Sequence, residues 1–209
     1  MGRMRVLSEG AEAKVYCGRL LGIDAVIKRR ERKRYRIAEL DSAIRSQRTK
    51  SEARMMAAAN MGGILAPKVL LVDGFDIYME RVHGRNLASE AAGKGDSDRM
   101  GRAMEKAGGY LGALHGMDIA HGDFTPANLM IDREGKLWLI DFGLSRATSS
   151  VEEKALDLLL MKRSITPQQY RLFIRGYRKG YDGSRMSEER LSEIERRGRY
   201  QDRSLAAVK

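Results

Sequence analysis

The residues whose types and spacing could do chemistry are concentrated in His121-Gly122-Asp123-Phe124-Thr125-Pro126-Ala127-Asn128 and, one short segment later, in Asp141-Phe142-Gly143. Two carboxylates and an amide supply oxygen donors, which a hard cation such as Mg²⁺ prefers over nitrogen or sulfur. Together they make up the oxygen set needed for phosphoryl transfer from ATP. Neither the Asp-x-x-x-x-Asn spacing nor the Asp-Phe-Gly tripeptide says much alone, so the elements that position them matter.

Between the two loops, Leu129-Met130-Ile131, Asp132-Arg133-Glu134-Gly135 and Lys136-Leu137-Trp138-Leu139-Ile140 read as strand, tight turn and strand. A hairpin returns the chain to its starting end, so Asn128 and Asp141 are expected to converge. The alternative, ordinary turn carboxylates beside an ordinary hairpin, loses ground as further matches accumulate upstream.

The 209 residues can bury a core but are few for two independent domains. One cysteine, Cys17, excludes a disulfide framework, and His83, His115 and His121 lack zinc spacing. A reducing, cytoplasmic setting is expected, without a signal peptide or membrane span. The formal charge of +11 favours polyanionic partners. Arg29, Arg30, Arg32, Lys33, Arg34 and Arg36 crowd together, and Arg196, Arg197, Arg199 and Arg203 form a second basic patch around Tyr200. Each patch could be a solvated surface; two of them with an interleaved aromatic favour nucleic acid.

The catalytic and metal loops resemble those of the protein-kinase superfamily. By that resemblance Asp123 accepts the proton of the attacking hydroxyl, while Asn128 and Asp141 hold Mg²⁺ against the nucleotide phosphates. Leu7-Ser8-Glu9-Gly10-Ala11-Glu12-Ala13-Lys14-Val15 has the outline of the nucleotide loop, with Ser8, Gly10 and Ala13 where glycines usually stand. Strands are expected on both sides of it, with Leu7 and Val15 over the adenine. Val26 and Lys28 lie on the next strand, Lys28 resembling the lysine that pairs with the phosphates. A strand lysine is ordinarily a solvent-face residue, but helix 48–60, with Ala53, Met56 and Ala57 on its apolar side, places Glu52 where the family supplies its carboxylate partner. Two strands, 68–72 and 75–79, lead to a hinge whose Glu80 and Val82 backbone would meet the adenine edge. Met130 completes the nucleotide residues.

Downstream, Met104, Ala107, Leu111 and Leu114 share one face of a helix over 97–115, whose glycines and alanines suggest close helix packing. His115 reads as a packed or capping histidine. Only Leu144 to Ser150 separate Asp-Phe-Gly from a helix over 151–163, and no Ala-Pro-Glu segment follows. That removes the usual peptide platform. Within this helix Asp157, among leucines, resembles the buried aspartate that holds the catalytic-loop backbone. A helix at 188–194 precedes the basic tail.

The motifs Glu9-Gly10-Ala11-Glu12-Ala13, Lys33-Arg34-Tyr35-Arg36 before Leu40-Asp41, Arg48-Thr49-Lys50-Ser51-Glu52-Ala53, His121-Gly122-Asp123, Glu153-Lys154-Ala155-Leu156-Asp157-Leu158 and Arg197-Gly198-Arg199 are similar to those of the small Bud-type atypical kinase subunit of the KEOPS (EKC) complex, a lineage related to the RIO kinases. The resemblance implies an α+β, minimal two-lobed protein-kinase-like fold. Residues 1–83 are the N-lobe, an antiparallel sheet with a helix; residues 84–209 are a mainly helical C-lobe without an extended activation segment. It also implies ATP hydrolysis with Mg²⁺, weak Ser/Thr (auto)phosphorylation, association with the threonylcarbamoyl-transferase and other KEOPS subunits, and tRNA contact through Arg29, Arg30, Lys33, Arg196, Arg197 and Arg199. The alternatives are a free-standing RIO-like kinase, a nucleotide-sensing tRNA adaptor without turnover, and a small-molecule phosphotransferase.

Overall fold

In the computed structural model of the chain, residues 4–10, 12–92 and 97–206 are described, with positions 91, 92, 97 and 198–206 as backbone only. The order is β1 (Arg5–Glu9), β2 (Ala13–Leu20), β3 (Ile23–Arg30), α1 (Ala38–Met61), β4 (Val69–Asp73), β5 (Asp76–Glu80), β6 (Gly84–Asn86), α2 (Leu87–Ala92), α3 (Ser97–Gly116) and β7 (Ile119–Ala120). A 3₁₀ turn, Pro126–Asn128, leads to β8 (Leu129–Asp132), β9 (Leu137–Leu139), β10 (Arg146–Ala147), α4 (Val151–Ser164), α5 (Pro167–Gly180) and α6 (Ser184–Ala206). The chain forms two compact units, one of residues 1–87 and 128–145, the other of 88–127 and 146–209.

The first unit carries a five-stranded antiparallel sheet in the order β1-β2-β3-β5-β4. Its turns take positive φ at Gly22 and Gly74, which glycine adopts without steric cost, and at the exposed Leu21 beside Gly22. Helix α1 begins at Ala38, ten residues before the expected helix, and buries Thr49, Glu52, Met56 and Ala59. That three- and four-residue spacing is the true inner face, and Ala57, expected on it, is exposed. Strands β6, β8 and β9 make a separate three-stranded sheet. Its hairpin turns at Gly135, φ 82°, with Asp132 accepting from the backbone of Glu134 and Lys136 and from the indole of Trp138.

In the second unit α3 and α5 cross at contact distance. A Cβ added to Gly108 would lie 1.9 Å from the Phe173 carbonyl, and one on Gly176 would lie 1.9 Å from that of Glu105. The expected face of Met104, Ala107, Leu111 and Leu114 is fully buried, with Phe173 and Tyr177 also buried. A capping box at Thr166 and Gln169, with Pro167 at the first position, starts α5. Helix α6 runs unbroken from Ser184 to Ala206, so the basic tail continues a helix that reading the sequence ended at Ile194.

Candidate functional site

Within the first unit β3 and α1 bring Lys28 and Glu52 together, Nζ to Oε1 at 2.7 Å, and Lys28 Nζ also donates to Asp141 Oδ1 at 2.6 Å. Glu52 is 1% exposed. Burial alone would push Lys28 down, but the charges of Glu52 and Asp141 outweigh it and the ammonium is held above its ordinary value. Lys28 is therefore a fixed cation held by two carboxylates.

The sheet register explains which of the residues expected at the nucleotide share its face. Lys28 is opposite Val15 on β2 and Ile77 on β5, and Val26, two residues earlier, is opposite Cys17 and Met79. Paired and alternate residues point to one side of a pleated sheet, so Val15, Val26, Lys28 and Met79 line a common face, with Ala13 and Ser8 following by register. The β1–β2 pairing skips Leu7 as a bulge, and Leu7 is exposed. Gly10 N–H donates to Ala13 O at 2.9 Å, which closes the loop as a tight turn; Ala11 lies outside the described residues. Val82 follows the end of β5, and Glu80 N–H is committed to Lys68 O. Met130, on β8, faces away from the buried Leu129 and Ile131.

Asp141 has φ 63°, a left-handed conformation that aspartate tolerates better than most residues. Its Oδ1 accepts from both Lys28 and the Gly143 N–H, and its side chain is 49% exposed. The Asn128 carbonyl accepts from Ile140 N–H at 2.8 Å, so hydrogen bonding at the base of the hairpin holds Asn128 against the strand that leads to Asp141. No group of three His, Cys, Asp or Glu that could hold a metal occurs among the described residues. Mg²⁺ usually takes only one or two protein oxygens and completes its octahedron with phosphate and water, so the donor set of Asn128 and Asp141 fits it.

Asp123 belongs to the second unit. There Asp157, 1% exposed on α4, accepts from the backbone N–H of His121 at 2.7 Å and of Gly122 at 2.8 Å, fixing the two residues before Asp123. Of the leucines expected around Asp157, Leu158 and Leu159 are buried and Leu156 is exposed. Asp157 Oδ2 also meets His115 Nε2 at 3.2 Å, while His115 Nδ1 lies 2.8 Å from the Tyr177 hydroxyl. The network assigns the proton to Nε2, which donates to the carboxylate, and Nδ1 accepts from tyrosine. The chain after Gly143 is secured without a long loop: β10 pairs with β7, Arg146 bonds Glu153 at 2.8 Å, and Ser150 caps α4.

Burial pushes the His115 pKa below its ordinary 6.5, against the opposite pull of Asp157. A histidine depressed in the folded state binds its proton more readily unfolded, so its stabilising contribution is complete above about pH 6.5 and is lost as pH falls through the folded value. The unfolding midpoint should fall between pH 7.5 and 5.5, and His115→Gln should flatten that dependence. An equal pH slope in the two proteins would place the titration elsewhere.

The basic surfaces come out differently from a simple cluster. Arg30 is 4% exposed and turned inward to Glu52 and Glu12, so it offers no cation to a polyanion; this corrects its assignment as a tRNA contact. It lies on the same sheet face as Lys28, where its charge is taken up internally. Arg29 is paired bidentately with Asp76. Lys33 lies in a loop pinned by the buried Asp41, which accepts from Lys33 N–H and Arg45. Arg196 and Arg197 are exposed midway along α6, and the Arg199 side chain lies outside the described residues. Asp41, Glu12 and Arg48 stand in the family motifs, but the sequence assigns them no role; Glu12 and Arg48 pair across a long stretch of chain, which carries no local signal.

Residues 3–171 match the family model described as protein kinase domain. The KEOPS complex subunit Bud32 of Pyrococcus abyssi is 37% identical, with the match covering 96% of this chain and 98% of the relative. The probable bifunctional tRNA threonylcarbamoyladenosine biosynthesis protein of Methanothermobacter thermautotrophicus is 37% identical over 94% of this chain, and that of Methanobrevibacter smithii 36% over 93%. This chain spans only 37% and 36% of those two longer proteins. Among solved structures, the Rio2 kinase-ADP/Mg²⁺-phosphoaspartate complex from Chaetomium thermophilum superposes with a TM-score of 0.64 at 14% identity, covering 94% of this chain and 70% of that one.

Proposed function

The chain belongs to the protein-kinase family and, within it, to the family of KEOPS Bud32 subunits, and from that membership we propose that it is an ATP-hydrolysing atypical kinase subunit supporting threonylcarbamoyl modification of the tRNA adenosine beside the anticodon. The observation that carries the catalytic part is the Lys28–Glu52 pair joined to Asp141 at 2.7 and 2.6 Å. In phosphoryl transfer the protein contributes positioning and charge, and this arrangement supplies both.

In this reading Lys28 holds the α- and β-phosphates, Val15, Val26, Met79 and Met130 flank the base, and the Glu80 carbonyl with the Val82 backbone reads its edge. Asn128 and Asp141 hold Mg²⁺, which when bound neutralises phosphate charge. Asp123, held by a loop tied to Asp157, takes the proton of the attacking water or serine/threonine hydroxyl as the new P–O bond forms and the bond to the ADP oxygen breaks. Only residues 144–150 lie between Gly143 and α4, leaving no peptide platform, which supports weak Ser/Thr transfer beside hydrolysis.

The partners in this reading are the threonylcarbamoyl-transferase subunit, other KEOPS subunits and tRNA, in the cytoplasm. Two relatives named as bifunctional proteins in threonylcarbamoyladenosine biosynthesis contain a matching segment within a longer chain, which supports the transferase as partner. Among the described residues no helix is long and apolar enough to cross a membrane.

The decisive assay is phosphate release by the chain with the transferase subunit, with and without tRNA. Turnover that depends on Asp141 is expected; none under any condition would leave the nucleotide-sensing adaptor. Truncation after Glu195 retains the Lys162–Glu195 pair that ties α6 to α4. It should weaken tRNA binding while sparing nucleotide binding. For every tRNA phosphate that the truncated chain no longer neutralises, the log-affinity against log-salt slope should flatten by roughly 0.7 to 0.9. An unchanged slope would remove the tail from the tRNA surface.

A further inference from the structure

Six side chains of the first unit form a chain of alternating charge. Arg48 Nη1 meets Glu12 Oε1 at 2.6 Å, Arg30 Nη1 meets Glu12 Oε2 at 3.4 Å, and Arg30 Nη2 meets Glu52 Oε2 at 2.5 Å. Glu52 Oε1 then meets Lys28, and Lys28 meets Asp141. Each end of the Glu52 carboxylate has its own cation. We propose that Arg30 and Glu12 are positioning residues that tie the nucleotide loop to the Lys28–Glu52 pair, so that placement of the loop over the phosphates and placement of the lysine are a single event.

The local geometry accounts for the chain. Lys28 and Arg30 stand two apart on β3 and share a sheet face, while Arg48 and Glu52 stand four apart on α1 and share a helix face. Two cations from a strand and a cation and an anion from a helix therefore meet along one seam, and Glu12 enters it from the β1–β2 turn. Arg30 and Glu52, 4% and 1% exposed, are charges that burial tolerates only when paired. Glu12 is more exposed, yet the hydrogen bond from Arg48 holds its carboxyl below the usual range.

A hairpin tip without such a tether is among the least stable parts of a fold. Here both carboxylate oxygens of its Glu12 are engaged by body elements. Arg30 also has a reason to be arginine: Nη1 reaches Glu12 while Nη2 reaches Glu52, so two separate nitrogens of one planar fork span a gap that a lysine would have to bridge from a single nitrogen. The basic cluster at 29–36 thus contains one residue that works inward.

This inference rests on the proposed phosphoryl-transfer reading. The test is steady-state ATP turnover of the full chain with the transferase subunit and tRNA, using Glu12→Gln, Arg48→Gln, their double variant, and Arg30→Lys. Glu12→Gln alters a half-exposed side chain, so the thermal midpoint should hold while kcat falls roughly 10-fold and KM for ATP moves less than about 3-fold, within the coupling range of contacting residues. The double variant should be no slower than the slower single one, because both cut the same link. Arg30→Lys keeps a cation beside Glu52 and gives up the arm to Glu12, so it should match Glu12→Gln. Unchanged kcat in Glu12→Gln, or losses that multiply in the double variant, would overturn the tether. Asp141→Asn separates the two levels: if it too leaves turnover intact, or if the wild type has none, the phosphoryl-transfer reading fails; if it alone abolishes turnover, only the tether does.

Discussion

Asp141→Asn should lower ATP turnover by about three orders of magnitude or more with the fold intact. In the proposed site the removed carboxylate is a metal ligand, and the charge stabilisation a metal supplies is worth several kcal/mol, at about 1.4 kcal/mol per tenfold in rate. The structure selects asparagine over alanine for this test. Asp141 has φ 63°, a conformation in which asparagine is at ease and alanine carries a penalty of roughly 1–2 kcal/mol. Asparagine also keeps an oxygen for the Gly143 N–H. Lys28 loses one partner and retains Glu52. The measurement is kcat at saturating ATP across a Mg²⁺ series, paired with a thermal midpoint. A folded variant retaining a tenth of the wild-type rate would remove Asp141 from the metal site.

What could be read from sequence and what could not divide along a physical line. Lys28 and Glu52 could be paired in advance only through the family resemblance, which places a helix carboxylate beside the strand lysine, and the 2.7 Å contact between them agrees with it. The β8–β9 hairpin was legible from the chain itself: Gly135 and the apolar alternation around it leave few registers. Asp157 could be placed against the catalytic-loop backbone by resemblance, and its two bonds to His121 and Gly122 match that placement.

The first ten residues of α1 were not legible, since Ala38 to Gln47 carry little apolar period and the helix is held there by Asp41 and Arg45 rather than by a hydrophobic stripe. Arg30 was misread for a related cause. Six cations in a short stretch look alike in one dimension, and only the strand alternation, which puts Arg30 with Lys28 and Arg29 with Asp76, decides which of them is buried. The partner of an inward cation is an anion far along the chain, and composition does not encode that pairing.

Helix α3 carries two adjacent glycines whose replacement should have opposite effects. Gly108→Ala puts a Cβ 1.9 Å from the Phe173 carbonyl and 2.7 Å from the Tyr177 nitrogen, both backbone atoms of α5. No side chain can rotate away. The new carbon must retreat by about 1.5 Å (from 1.9 to the 3.4 Å of ordinary contact), and it can do so only by parting the helices over Met104, Leu111, Phe173 and Tyr177. Alanine's better helix propensity, worth about 1 kcal/mol, does not offset overpacking against backbone, so the expected loss is about 3 kcal/mol or more. Gly109→Ala meets only the Gly176 carbonyl at 4.0 Å. There the propensity gain is unopposed, and the variant should be as stable as wild type or more stable by up to about 1 kcal/mol. Urea denaturation of both variants measures the contrast. Equal effects at the two positions would mean that α3 and α5 do not touch backbone to backbone, and the many glycines of these helices would need another cause.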